Sequence, residues 1–333
     1  MKYTRMLVAL ASAGMAGAAF GQYTSPELMM VVDDGGTTLN GNVAPAQVER
    51  YDPYTGAYLG AFGAGYLTDP VGITLMGQDA YVSDPFTSNG VSYSRIDKFN
   101  FSTGAYDGSI FSTSPYNIYG LATFGTNILA SDFGRGGNFG AVYTYNSAGV
   151  QTGVQSLPTD AYADSLSTDA SHDYVATSGG LGLFSYNLNS AGIATGLNFI
   201  TGVGNAYLGT TTFTNSNNTT TIFASGVSGT TGEGIIDAFN ASGGLLSEYS
   251  DPTLGINSLA FGHNGLMYAL AGGSQILRFD GTQSVGFGPI GSFDLNDTAN
   301  GVRIAVYAAP EPAAIAMLAL GTVGLLARRR RKA

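Results

Sequence analysis

The chain of 333 residues has no cysteine and no tryptophan, only two histidines, and few charges, with 11% of residues Asp, Glu, Lys or Arg. Without cysteine there is no disulfide scaffold, no thiolate zinc site and no cysteine nucleophile. The two imidazoles stand in turn-like settings, Asp169-Ala170-Ser171-His172-Asp173 and Gly262-His263-Asn264-Gly265, which suit a solvated loop residue better than a catalytic base. A Ser-His-Asp hydrolase therefore has little to be built from. No Gly-x-Ser-x-Gly elbow, Walker loop or His-Glu-x-x-His helix occurs either. What the chain does have is glycine (49 residues) and apolar residues (44%). That is enough for a sizeable core, held by packing and sheet hydrogen bonds in place of disulfides.

The two ends differ from the body. Lys2 and Arg5 precede the apolar stretch 6–19, and Ala19-Phe20-Gly21 is a small-x-small site before Gln22. Together these predict a signal peptide over residues 1–21, removed after Gly21 by signal peptidase. A buried N-terminal helix is the alternative. At the other end, Pro310-Glu311-Pro312 is followed by residues 313–327 without a charge, then by Arg328, Arg329, Arg330, Arg331 and Lys332. A helix of that length spans roughly 22 Å, against a hydrocarbon core of roughly 30 Å. Snorkelling arginines and local thinning can close the gap, and the basic end should stay cytoplasmic.

This ordered set of features, a Pro-Glu-Pro motif, an apolar helix and a basic end, resembles the PEP-CTERM sorting signal of Gram-negative bacteria. The resemblance covers residues 310–333. It implies handling by an exosortase-like enzyme that cleaves near the motif. It also implies transient anchoring in the inner membrane through the C-terminal helix, and delivery to the cell surface or extracellular matrix. It implies no activity. An ordinary single-pass anchor would give the same topology before processing.

Residues 22–309 keep six basic side chains (Arg50, Arg95, Lys98, Arg135, Arg278, Arg303) against 22 acidic ones, a net charge near −16. Such a body repels nucleic acid and anionic lipid. It can attract divalent cations, and it also keeps an exported protein soluble.

Within that body a half-unit recurs: an aromatic residue with Asp or Asn, a few small residues, Gly, then an apolar stretch. It is carried by Tyr51-Asp52 to Gly56, Phe99-Asn100 to Gly104 and Tyr145-Asn146 to Gly149. It returns at Tyr186-Asn187 to Gly192, Phe239-Asn240 to Gly243 and Phe279-Asp280-Gly281. The aromatic anchors are 48, 46, 41, 53 and 40 residues apart. Alternating residues before each anchor read as a strand; Asp or Asn opens a turn and Gly closes it with positive φ, which makes a β-hairpin. A second half-unit fills the gaps, with Gly opening one strand (Gly72, Gly120, Gly209, Gly255) and small or acidic residues ending the next.

Four strands per 45 or so residues is the blade arithmetic of a β-propeller. The body, over residues 25–308, resembles the NHL-type propellers. Six hairpins predict six blades, with a degenerate seventh between residues 186 and 239 as the alternative and a β-helix or stacked sandwich as the runner-up fold. The first blade lacks an innermost strand ahead of Leu28-Met29-Met30-Val31-Val32-Asp33-Asp34, and the segment 301–307 is left over. Pairing of these two segments would close the ring and leave no exposed edge at the join.

Asp34, Asp84 and Asp132 end corresponding strands in three successive blades and are the candidate metal ligands, with Ca²⁺ as the candidate ion. Resemblance to gluconolactonase-like propellers implies acidic and amide ligands for a divalent metal near the central channel. Here the next three blades offer Ser178, Gly226 and Gly272, so the ring is incomplete, and an Asp at each strand end also suits a simple turn cap. The expectation is an exported, non-enzymatic surface or matrix propeller that binds partners or extracellular polysaccharide. A metal-dependent hydrolase or lactonase is the competing class. Its organisation is signal peptide 1–21, propeller 22–309 and sorting tail 310–333 with a membrane helix at 313–327.

Overall fold

The computed structural model describes residues 27–307, apart from 38–42, 89–90, 112–116, 135–139, 159–160, 179–180, 202–203, 263–264 and 296–300. All six expected hairpins form, and each is opened by the same device; Gly56, Gly104, Gly149, Gly192 and Gly243 close five of them with positive φ, whereas Gly281 of the sixth does not adopt it. In the first, Asp52 Oδ1 accepts from the amides of Tyr54 (2.8 Å) and Thr55 (3.1 Å), and Gly56 closes the turn at φ +73°. Asn100, Asn146, Asn189, Asn240 and Asp280 repeat that capture of downstream amides in the other five. In the fourth copy the strand runs on to Leu188, so Asn189, and not the Asn187 beside the aromatic anchor, opens the turn.

Six four-stranded antiparallel sheets result. From innermost to outermost strand, the first blade is Gly301–Tyr307, Leu28–Asp33, Gln47–Tyr51 and Tyr58–Phe62. The innermost strands of the second to sixth blades are Gly72–Met76, Ile118–Phe124, Ala163–Thr168, Ala206–Thr214 and Ile256–Phe261. A short ribbon of Gly36–Thr37 with Val43–Ala44 is the one addition among the described residues. The 53-residue interval between Tyr186 and Phe239 holds no seventh blade among the described residues. A long hairpin of Ala206–Thr214 with Thr220–Val227 takes up the extra length.

The ring closes as expected. Gly301–Tyr307 pairs antiparallel with Leu28–Asp33, with Leu28 opposite Tyr307, Met30 opposite Ala305 and Val32 opposite Arg303. The last strand of the chain thus becomes the innermost strand of the first blade, and Leu28–Tyr307 is a compact unit. The expected signal helix and C-terminal helix, with Ala19, Gly21, Pro310, Glu311, Pro312 and Arg328 to Arg331, lie outside the described residues.

The core sits between blades. A strand's side chains alternate, so a second strand packed on both faces reads as a continuous apolar run. Met30 and Val32 pack toward the second blade with Ile73, Val82 and Phe99. Met29 and Val31 pack the other way, with Tyr268, Leu270 and Ile276 of the sixth.

Third strands add stitches between neighbouring blades at one register position. Arg50 Nη1 donates to Ser102 O (2.9 Å) in the next blade's hairpin, Thr144 Oγ1 to Gly192 O (3.1 Å), and Arg278 Nη1 to Tyr54 O (2.9 Å). Each outermost strand carries an extra residue beside the aromatic anchor, seen as a register shift at Arg50/Tyr51, Asp97/Phe99, Thr144/Tyr145, Tyr186/Asn187, Ala238/Phe239 and Arg278/Phe279. Such bulges twist the exposed edge away from pairing with other chains.

Candidate functional site

The innermost strands surround a central cavity of about 310 Å³. Pairing registers place Gly72, Gly120, Ser165, Gly209, Ser258 and Arg303 at one level around it. Five of the six are Gly or Ser for a packing reason. A Cβ on Gly72 would stand 2.0 Å from Tyr119 O of the next blade. The second strands answer with hydroxyls: Ser83 Oγ donates to Tyr119 O (3.1 Å) of the next blade, and Ser131 Oγ accepts from Gly120 N (2.8 Å) of its own. Small residues at this level let the blades approach closely enough to be sewn together.

Arg303 is the exception and reaches across the space the small residues leave. Its Nη1 donates to Val302 O (2.9 Å) and to Asn257 O (3.2 Å) of the sixth blade. Its Nη2 donates to Asp164 O (3.3 Å) of the fourth blade, the one opposite its own. Nε is buried and has no acceptor among the described residues. Burial pulls the guanidinium below its ordinary value, with Asp164 and Tyr119 opposing the shift. Burial likewise pushes the Asp164 carboxyl up to about 6, against the opposing effects of Ser178 and Arg303.

Beyond that level, toward the C-terminal ends of the innermost strands, the cavity is lined by Leu75, Thr123, Thr168, Thr212, Phe261 and Val306. Thr168 Oγ1 donates to Thr123 O (2.8 Å) and Thr212 Oγ1 to Thr168 O (2.9 Å), so one side of the mouth is hydroxyl-lined and the other apolar.

The strand-end aspartates lie in the second strands, off the cavity lining. The register that pairs Ile118 with Asp132 and Gly301 with Asp33 makes Asp33, not Asp34, the partner of Asp84 and Asp132 in this position. Thr177, Gly226 and Ala271 stand there in the remaining blades. Each Asp is bound to local backbone. Asp84 Oδ1 accepts from Asp69 N (2.7 Å) and Thr68 N (3.0 Å), while Oδ2 meets Arg95 Nη2 at 2.5 Å. Asp132 Oδ1 accepts from Asn117 N and Gly134 N, both at 3.0 Å, and Asp33 Oδ1 from Gly35 N at 3.0 Å. Asp84 and Asp132 thereby fasten the segments that lead into their blades, while Asp33 holds the turn that follows it. Among the described residues, no group of three or more His, Cys, Asp or Glu is placed to hold a metal ion.

His172 opens a second strand, half-exposed, with Nδ1 3.3 Å from Asp169 Oδ1 in a turn that Asp169 also caps. His263 lies outside the described residues. On the face where the strand-end aspartates sit, Tyr119, Phe133 and Tyr162 stack in series, with ring centroids 4.7 and 5.0 Å apart. Tyr162 is 39% exposed and leaves one ring of the stack open to solvent. Composition alone hides this ladder, because its rings come from an innermost strand, the loop after the strand beside it and the segment leading into the next blade. Arg303 had a readable signal: it is the one residue in its repeat position that is neither Gly nor Ser.

The protein is a six-bladed β-propeller, and its residues 308–332 match the PEP-CTERM protein-sorting motif. That motif implies an exosortase-linked sorting system. The propeller is similar to the crystal structure of a nidogen/laminin complex, with a TM-score of 0.59 and 12% identity over 84% of this chain and 97% of that chain. At that identity the likeness shows the fold alone. As many as 716 chains of solved structures match, so the architecture is too widely shared to assign a function. No curated protein matches by sequence. Among the described residues no helix is long and apolar enough to cross a membrane.

Proposed function

We propose that this protein is exported, is sorted through its tail to the cell surface or extracellular matrix, and works there as a non-enzymatic binding propeller. The observation that carries the reading is the sorting motif at 308–332, starting directly after a ring whose closing strand ends at Tyr307. The tail supplies the address and the propeller supplies the surface. Extracellular polysaccharide is the partner class this surface suits. The Tyr119–Phe133–Tyr162 ladder offers an exposed ring face of the kind sugars stack on, set beside the polar strand ends.

Two measurements in an exporting host test this. Deleting residues 310–333 should release the protein to the medium, whereas the full chain stays with the envelope or matrix. On a glycan array, Tyr162→Ala should weaken binding without lowering the melting temperature. Equal retention with and without the tail would overturn the sorting reading, and an array with no polysaccharide signal would overturn the partner class.

A further inference from the structure

The central cavity has a single cation in its lining, and we propose that it binds the carboxylate of a small organic acid or acidic sugar. The cavity is walled by all six innermost strands, and Arg303 is the one charged residue that lines it. This is unusual in a body with 22 acidic side chains. The other described cations are occupied elsewhere. Arg95 and Lys98 pair with carboxylates, and Arg50 and Arg278 cap hairpin carbonyls of neighbouring blades.

Arg303 has no carboxylate partner within ion-pair distance among the described residues. Backbone carbonyls take both N–H groups of Nη1 and one of Nη2, which fixes the plane of the guanidinium and leaves the second Nη2 N–H to a ligand. A part-buried cation short of a partner is costly, and a bound anion removes that cost. Ser165 stands at the same level on the opposite blade, where its hydroxyl can donate to the same ligand. Further up, Thr123, Thr168 and Thr212 face the apolar Leu75, Phe261 and Val306, a two-sided mouth that suits a ring with one polar edge. At about 310 Å³ the cavity is at the small end of ligand pockets, which favours a ligand of monosaccharide size or less.

The proposal gives a ligand class to the binding reading above, yet the two can fail separately, since tail-dependent retention does not involve the cavity. The test uses the full chain in detergent at constant ionic strength. Sodium acetate, sodium D-glucuronate and neutral D-glucose are titrated by calorimetry and followed by thermal unfolding. One equivalent of acetate or glucuronate should bind and raise the melting temperature saturably; glucose should not. Binding by both carboxylates identifies a free-acid site, and binding by glucuronate alone an acidic-sugar site.

Arg303→Met should weaken the carboxylate roughly tenfold to a hundredfold, the effect of losing a charge-assisted hydrogen bond. Arg303→Lys should keep part of the binding. Absence of saturable binding by either acid, an equal response to glucose, or unchanged affinity in Arg303→Met would overturn the proposal. If Arg303→Met does not fold, wild-type crystals soaked in bromide decide the matter. Anomalous density at hydrogen-bonding distance from the Arg303 guanidinium supports the site, and a cavity without it overturns it.

Discussion

Asp173 shows how a single residue sets the response of the whole molecule to pH. It lies in a second strand with 0% exposure, and burial pushes its carboxyl up to about 8. Burial likewise raises Asp164 and Asp237, each to about 6. Unfolded aspartate titrates near pH ~3.9, so at intermediate pH the folded state keeps protons that the unfolded state has lost. Stability is then fully present below the unfolded range and falls as pH rises through about 6 and on through about 8. A melting temperature that declines steadily from pH 5 to pH 9 is expected. Asp173→Asn keeps the shape and removes the titration, so it should match wild type near pH ~3, below the unfolded range, and exceed it at pH 9, by on the order of a few kcal/mol. A pH-independent difference between the two would show that the carboxyl is already charged in the folded protein.

Two further expectations belong to single residues. Gly72→Ala places a methyl 2.0 Å from Tyr119 O and should cost roughly 1–3 kcal/mol through blade separation. Gly255→Ala, whose nearest neighbour would be Asn257 Oδ1 at 3.9 Å, is the near-neutral control in the same denaturation series. Because Asp84 and Asp132 already accept two or more local hydrogen bonds each, millimolar Ca²⁺ should leave the melting temperature unchanged. A saturable rise following RT ln(1 + [L]/Kd) would support the metal reading instead.

At the level of elements, the hairpins were the most legible part of the sequence because their signal is local. An Asp or Asn that captures amides two to four residues on, with a Gly behind it, writes the turn into a few consecutive letters. Blade number followed from the spacing of these turns, and the closing strand from a count that left one segment over. What was not legible depends on partners distant in the chain. Asp33 and Asp34 are adjacent, and only the bulged pairing with Gly301 decides which stands in line with Asp84 and Asp132. A slip of one residue along a strand reverses its faces, and no local pattern corrects it. The aromatic ladder is a meeting of blades and has no local pattern at all. The closing pair offers a direct check in a chain without native cysteine. Met30→Cys with Ala305→Cys are directly opposed across antiparallel strands, at a separation a disulfide can span. Oxidation should cross-link the folded protein completely and raise its melting temperature, and an uncross-linked pair would place the closing strand elsewhere.

For the whole molecule, the ring's closure separates folding from sorting. Both strands of the join belong to Leu28–Tyr307, so the innermost strand that seals the first blade is complete before the sorting motif begins. Among the described residues, stability comes from inter-blade packing and from stitches such as Arg278 to Tyr54 O. A chain ending at Ala309 should therefore melt cooperatively, with a β-type circular dichroism spectrum and a midpoint within a degree or so of the full chain. Removing Gly301–Tyr307 as well takes away an entire strand of the first blade and the Arg303 brace across the channel. That shorter chain should lose cooperativity or aggregate through the exposed edge of Leu28–Asp33. The contrast between the two truncations is the measurement. If both melt alike, the ring is not sealed by the last strand. If both aggregate, the tail contributes to the fold, and sorting cannot be its whole role.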